Sequence, residues 1–401
     1  MNVFERMYCR TYQTFFRVAL PIMPYREPER LENIENIPVL LKELGVSSVL
    51  FVTDSTLCRT DIAKRLVSRL ADNGIRCAVY DGVNPNPTVH NVEEAFKFYK
   101  ECEAKAIIAF GGGSPMDCAK AVGARAAYPQ KGLNKMKGLL KVLKPIPPLI
   151  AIPTTAGTGS EVTLTAVITD SDRHYKYTMH SFPLIPRYAV LDPAVTVSLP
   201  KNLTATTGMD ALTHAVEAFI GRSTTRKTRQ FALDAVKLIF ENIENAYHDG
   251  GNITARRNML TAAYKAGIAF SQSYIGYIHA VAHSLGGQYN IPHGFANAVL
   301  LPIVLEEYGS AVYKKLNRLG LAAGVSLDTD SDEAGAKKFI EAVRTLNMHM
   351  GIPEKISGIK ERDITKMSRH AASEANPLYP VPKLWNAREL EKLYLKAADW
   401  N

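Results

Sequence analysis

In AIIAFGGGSPMDCAK, residues 106–120, an apolar run passes into three glycines, a serine and a proline before a segment that reads as a helix. A strand that ends in glycine and restarts as a helix is the joint of a parallel sheet with crossover helices. Glycines let the backbone approach a ligand closely, and the free N–H groups of a helix start attract an anion such as a diphosphate. The pattern is not GxGxxG, so this stretch alone suits a ligand cradle and a plain structural turn equally.

The flanking sequence extends the alternation. VSSVLFVTD (46–54) reads as a buried strand ending at Asp54, TDIAKRLVSRLADNG (60–74) as a helix, CAVYDGV (77–83) as a strand and NVEEAFKFYKECEA (91–104) as a helix. Further strands follow in PPLIAIPTT (147–155), AVITD (166–170) and YAVLD (188–192), after a proline-rich break at residues 144–148. From about Leu203 the apolar residues recur at helical spacing instead, in ALTHAVEAFI (211–220), RQFALDAVKLIFENIENAYHD (229–249), ITARRNMLTAAYKAGIAFSQS (253–273) and AGAKKFIEAVRTLNMHMG (334–351). The expected architecture is an α/β N-terminal domain with a parallel sheet over 1–200 and an all-α C-terminal domain over 201–401.

Composition narrows the function classes. A chain of 401 residues exceeds one average core, and 46% hydrophobic with 22% charged residues is ordinary for a folded protein. No apolar run of about 18 residues predicts a membrane span. Arg6, Arg10 and Arg17 stand where a signal peptide needs its apolar centre, so a cytoplasmic location is expected. The five cysteines, Cys9, Cys58, Cys77, Cys102 and Cys118, are odd in number with no CxxC spacing, which predicts reduced thiols and excludes zinc-finger chemistry. The net charge of +9 is spread along the chain, and its densest run, KGLNKMKGLLKVLKP (131–145), has no interleaved aromatics. A solvated basic surface is expected, with no nucleic-acid partner; an anionic substrate is the alternative.

IPTTAGTGSEVT (152–163) sets hydroxyl side chains beside glycines after the next strand, and two such loops after neighbouring parallel strands form one crevice. Asp54 closes its strand where a carboxylate can hydrogen-bond a ribose and repel a 2′-phosphate, favouring NAD over NADP. TDST (53–56) is equally good N-cap sequence.

Metal chemistry is suggested by GMDALTHAVEAFI (208–220) and HAVAHSLGGQYNIPHG (279–294). Asp210 and His214 are four apart, on one helical face, close enough to chelate an ion or to serve as a dipole-favoured Asp and a partly buried His. His279 and His283 share the same spacing, and His293 returns through a turn. One carboxylate with several imidazoles and no thiolate suits Fe, Zn or Mn. Spacing alone pairs His279 with His283.

Taken together, GGGSPMDCAK, IPTTAGTGSEVT, GMDALTHAVEAF and HAVAHSLGGQYNIPHGFANA, in this order, resemble the iron-containing (group III) alcohol dehydrogenases, over nearly the whole chain from about residue 50. The resemblance implies a Rossmann-like N-terminal domain, a helical C-terminal domain, NAD(H) as cofactor, a divalent metal and a homodimer or larger homo-oligomer. Fe2+ is the family's usual metal, and Zn2+ suits the same ligands. It implies Asp210, His214, His279 and His293 as metal ligands. It also implies Asp54, Asn86, Gly112, Gly113, Ser114, Asp117, Thr154, Thr155, Thr158, Thr163 and Lys176 as cofactor contacts. His283 is similar to a non-ligand histidine beside the nicotinamide and is the candidate proton relay. The implied activity is hydride transfer between nicotinamide C4 and a small primary alcohol or aldehyde; the alternative substrate is anionic, a hydroxy acid or a sulfonate-bearing aldehyde. Two stretches depart from the common pattern: YIGYIH (274–279) and NPLYPVP (376–382), both expected to border the substrate. The motifs do not explain the extension MNVFERMYCR (1–10).

Overall fold

The computed structural model describes residues 1–171 and 175–400, which form two compact units: Pro24–Ser198, and Met1–Met23 with Leu199–Asn401. Among the described residues the first unit carries strands β1 (Glu29–Leu31), β2 (Ser48–Val52), β3 (Arg76–Tyr80), β4 (Ala106–Gly111), β5 (Gly138–Leu139), β6 (Leu149–Pro153), β7 (Thr165–Asp170), β8 (Tyr175–His180) and β9 (Tyr188–Val190). Six of them make an all-parallel sheet in the order β1-β9-β6-β4-β2-β3.

Alternation along each central strand explains why both faces are covered. Leu50, Val52, Ile107, Ala109, Leu149 and Ala151 enter one hydrophobic core, whereas Val49, Phe51, Ile108, Phe110, Ile150 and Ile152 enter another. Every residue of β2, β4 and β6 is buried, as expected for parallel strands between helical layers. From β2 the chain steps to β3 on one side and then to β4 on the other. The carboxyl ends of β2 and β4 therefore flank a topological switch point, the usual ligand crevice of an open α/β sheet.

AVITD is a strand, but it lies outside this sheet. It is β7, antiparallel to β8, with β5 completing a separate three-stranded sheet. Its alternating burial differs from the fully buried central strands and marks a sheet covered on one face.

The second unit is helical. After Val3–Ala19 it comprises Lys201–Ile220, Arg226–His248, Ile253–Ser273, Tyr277–Tyr289, His293–Tyr308, Tyr313–Ala322, Asp332–His349, Glu361–Ala375 and Ala387–Ala397. Two of these differ from the reading above. The turn that returns His293 is at Asn290, at φ 55, and His293 itself opens a helix that the reading above did not include. The helix escapes periodicity analysis because it is apolar all round, with Ala296–Leu305 almost wholly buried and Pro302 inside it. The extension at the N-terminus is also a helix, capped by a reciprocal Asn2–Glu5 box. Its Cys9 and Gln13 are buried, and Arg10 donates to the carbonyls of Val381 and Pro382. Residues 1–23 thus pack with the helical unit, although a division at residue 200 assigns them to the α/β part. No described helix is long and apolar enough to cross a membrane.

Candidate metal and cofactor sites

The Lys201–Ile220 helix is buried over most of its length and presents Asp210, His214 and Glu217 at i, i+4 and i+7, hence on one face. Asp210 Oδ2 lies 3.9 Å from His214 Nδ1. Asp210 Oδ1 lies 3.8 Å from His279 Nε2 and 3.5 Å from His293 Nε2. One ligand atom from each of Asp210, His279 and His293 falls within 4.8 Å of the others. The His214 ring flanks the trio, with its centroid 4.1 Å from Phe270 and 4.4 Å from His279.

His279 is held from behind. Glu217 Oε2 accepts from its Nδ1 at 2.6 Å and from the Gly276 N–H at 2.7 Å, and Oε1 accepts from the Ile278 N–H at 2.8 Å. Burial pushes the Glu217 carboxyl up to about 8, and the Gly276 and Ile278 donors pull against that. Three N–H donors on two oxygens suit the carboxylate form. Burial, with the imidazoles of His214, His293 and His283, pushes His279 well below its ordinary value, so the ring is neutral. With Nδ1–H given to Glu217, the lone pair is on Nε2, which is buried and makes no hydrogen bond. A buried imidazole lone pair beside a carboxylate and a second imidazole fits a divalent cation, and the carboxylate behind the ring is the usual support of such a ligand.

Gly294 lets the helix that begins at His293 come this close. A Cβ there would stand 2.5 Å from the Thr206 carbonyl oxygen and 3.5 Å from Asp210 Cβ. Gly294→Ala is therefore expected to push His293 away from Asp210 and lower metal affinity by about tenfold or more, read as metal retained after desalting. Unchanged retention would remove Gly294 from this account.

His283, one turn beyond His279, turns elsewhere. Its Nδ1 bonds Glu374 Oε1 at 2.6 Å, and its ring stacks on His293 at 5.2 Å. Of the two departing stretches, Tyr277 is buried, its hydroxyl bonded to Asn376 and the Trp385 backbone. Tyr274 packs between Phe16 and Tyr379.

In the α/β unit the glycine turn and the threonine loop meet. Thr154 N–H donates to the Gly111 carbonyl at 3.1 Å. Cβ atoms built on Gly112 and Gly113 would lie 3.2 Å from Thr155 Oγ1 and 3.1 Å from Thr158 Cγ2. Gly112 is the N-cap of the Gly113–Ala127 helix and offers it no side-chain cap, leaving the helix start open to an anion. Ser114 Oγ accepts from Asn86 N–H at 3.2 Å, and Lys176 Nζ donates to Asn86 Oδ1 at 2.9 Å, so these three assemble beside the turn. Asp54 is an N-cap: its Oδ1 accepts from Thr56 and Leu57 N–H, both at 2.9 Å. Both bonds fall on one oxygen, so capping and a ribose contact through Oδ2 are compatible. Asp117 and Thr163 are engaged inside the protein: Asp117 accepts from Ser160 Oγ and Val167 N–H, and Thr163 Oγ1 accepts from Lys120.

A model described as iron-containing alcohol dehydrogenase matches residues 30–193, and one for the Fe-containing alcohol dehydrogenase family, C-terminal, matches 204–398. The chain belongs to the iron-containing alcohol dehydrogenase family. It is 37% identical over 358 residues to the 1,3-propanediol dehydrogenase of Klebsiella pneumoniae, covering 88% of this chain and 92% of that one. It is 35% identical to the NAD-dependent methanol dehydrogenase of Bacillus methanolicus, over 86% and 92% of the two chains. A crystal structure of 1,3-propanediol oxidoreductase superposes with TM-score 0.89 at 35% identity, covering 93% of this chain and 99% of that one.

Within this alcohol dehydrogenase, three polar residues escaped the sequence reading. Glu217 had a signal, since it falls seven residues after Asp210 on the same helical face. Lys120 is fully buried and donates to Ser160 Oγ, Thr163 Oγ1 and the carbonyls of Thr163 and Thr165 at 2.8–3.0 Å. A lysine one turn after Asp117 on an otherwise apolar helix was its only signal. Glu374 had none, because its partner His283 is 91 residues away.

Proposed function

We propose that this alcohol dehydrogenase is NAD(H)-linked and metal-dependent, interconverting small primary alcohols and aldehydes, with Asp210, His214, His279 and His293 holding the ion. The buried, unbonded Nε2 of His279 facing Asp210 and His293 carries the reading. The family supports Fe2+, and the same donors bind Zn2+, so supply decides between them. A divalent ion held there supplies Lewis acidity that lowers the pKa of an alcohol oxygen, and NAD(H) supplies the hydride exchange.

The chain's own residues do the rest. Glu217 fixes the tautomer of His279 so that its Nε2 serves as a ligand. Gly112, Gly113 and Ser114 cradle the cofactor diphosphate with Thr154, Thr155 and Thr158, and Asn86 and Lys176 close the same edge. Asp117 and Thr163 act from behind, bracing that loop through Ser160 and Lys120. His283 takes or returns the alcohol proton. Five free cysteines support a reducing, cytoplasmic setting, and a homodimer or larger homo-oligomer is part of the reading.

The test is anaerobic NADH oxidation by enzyme loaded with Fe2+ or Zn2+, across aldehydes that include acidic ones. Turnover of small uncharged aldehydes is expected. No turnover of any aldehyde by fully loaded enzyme would contradict the proposal, and a clear preference for acidic ones would move the substrate to the anionic class. Asp54→Ala removes both roles of that carboxylate. It is expected to cost about 0.5–2 kcal/mol of stability as a lost N-cap. It is also expected to lower the NAD-to-NADP preference by on the order of tenfold, the weight of one like-charge contact near a surface. Comparing kcat/KM for the two cofactors checks the second effect; an unchanged ratio would leave Asp54 as a cap alone.

A further inference from the structure

We propose that Glu374 and Tyr379 are positioning residues for His283, and that the N-terminal helix holds them in place through Gln13 and Arg10. The proposal rests on the reading of His283 as proton relay.

Glu374 Oε1 accepts from His283 Nδ1 and from the Tyr379 hydroxyl, each at 2.6 Å. Burial, reinforced by Glu374, pushes the Tyr379 phenol well above its ordinary value, so it stays protonated and keeps donating. The pair of bonds fixes the plane of the His283 ring and assigns its proton to Nδ1 and its lone pair to Nε2. A proton relay needs that tautomer and that orientation before substrate arrives.

Tyr379 is fixed in turn from outside its own segment. Buried Gln13 donates from Nε2 to the Tyr379 carbonyl at 2.7 Å and reaches the Pro377 carbonyl at 3.3 Å. Arg10 donates to the carbonyls of Val381 and Pro382 at 2.8 and 2.9 Å and to Gln13 Oε1 at 2.8 Å. Two side chains thus satisfy four carbonyls of residues 377–382, a proline-rich segment with few N–H groups to pair them itself. Phe16 adds an edge contact to Tyr274, which packs on Tyr379. The helix lies before residues 30–193 and 204–398, the stretches that the family models match.

The test compares Glu374→Ala, Glu374→Gln, Gln13→Leu and His283→Ala in metal-loaded full-length enzyme, reading kcat, KM, bound metal and amide hydrogen exchange of residues 376–382. Glu374→Ala is expected to lower kcat by about tenfold or more, with KM and metal content unchanged. Glu374→Gln, which still accepts from Nδ1–H, should recover most of the rate. Gln13→Leu should speed exchange in 376–382 and lower kcat by a smaller factor. If His283→Ala is slow while Glu374→Ala keeps the parental kcat, or if Glu374→Ala loses its metal, the positioning role is overturned. A parental rate in His283→Ala overturns the relay reading itself. Unchanged exchange in Gln13→Leu overturns the part given to the N-terminal helix.

Discussion

His279→Ala is expected to lose bound metal and turnover together, with kcat falling by about 10³-fold or more. The ring is enclosed, its Nδ1 is given to Glu217 and its Nε2 stands 3.8 Å from Asp210 Oδ1. Removing it deletes one of the proposed ligands and leaves Glu217 buried with only the Gly276 and Ile278 donors. Loss of a Lewis acid that stabilises developing charge forfeits several kcal/mol of the barrier reduction, and each 1.4 kcal/mol is about tenfold in rate. Glu217→Gln should be milder, weakening metal retention by about 10–100-fold, because it disturbs the orientation of a ligand and keeps the ligand itself. Metal content after desalting and anaerobic NADH oxidation check both variants. Full metal occupancy in His279→Ala would remove His279 from the ligand set.

Lys120→Met is expected to destabilise the α/β unit by about 3–5 kcal/mol, the usual cost of breaking a buried charged network by deleting one partner. Methionine fills much of the lysine's volume, so the loss comes from the three N–H donors that the ammonium shares among four acceptors on Ser160, Thr163 and Thr165. Burial already lowers the Lys120 ammonium to about 8, with Asp117 and Glu161 partly restoring it. Without the ammonium, Asp117 loses its nearby positive charge, and Ser160 loses one of its two ties to the helix that starts at Gly113, keeping only its bond to Asp117. NAD affinity should therefore fall along with the denaturation midpoint. A variant with parental stability would show that this network contributes little.

What was legible in the sequence follows from what each pattern encodes. β2, β4 and β6 are apolar on both faces and run into hydroxyl or glycine residues (Thr53, Gly112 and Thr154), so sheet, crossovers and crevice loops were all written locally. Helix His293–Tyr308 was not, because a helix buried on every side has no polar face to set its period. The N-terminal helix was hidden for another reason: its partners are carbonyls some 370 residues away, and no motif records a backbone acceptor. Among the histidines, i,i+4 spacing puts His279 and His283 on one face but cannot say which carboxylate each ring meets. In the structure one faces Asp210 with Glu217 behind it, and the other bonds Glu374. Glu217 and Lys120 show the general gap. Residues that hold functional groups in place act through contacts distant in sequence; helical spacing can mark the face they share, and three-dimensional packing shows which group each one holds.

The most direct measurement is an anaerobic titration of chelator-stripped enzyme with Fe2+, following NADH oxidation with a small aldehyde. Activity is expected to start near zero, rise in proportion to added ion and level off at about one ion per chain, the capacity of a single mononuclear site. Parental turnover by enzyme shown to contain no metal would contradict the account.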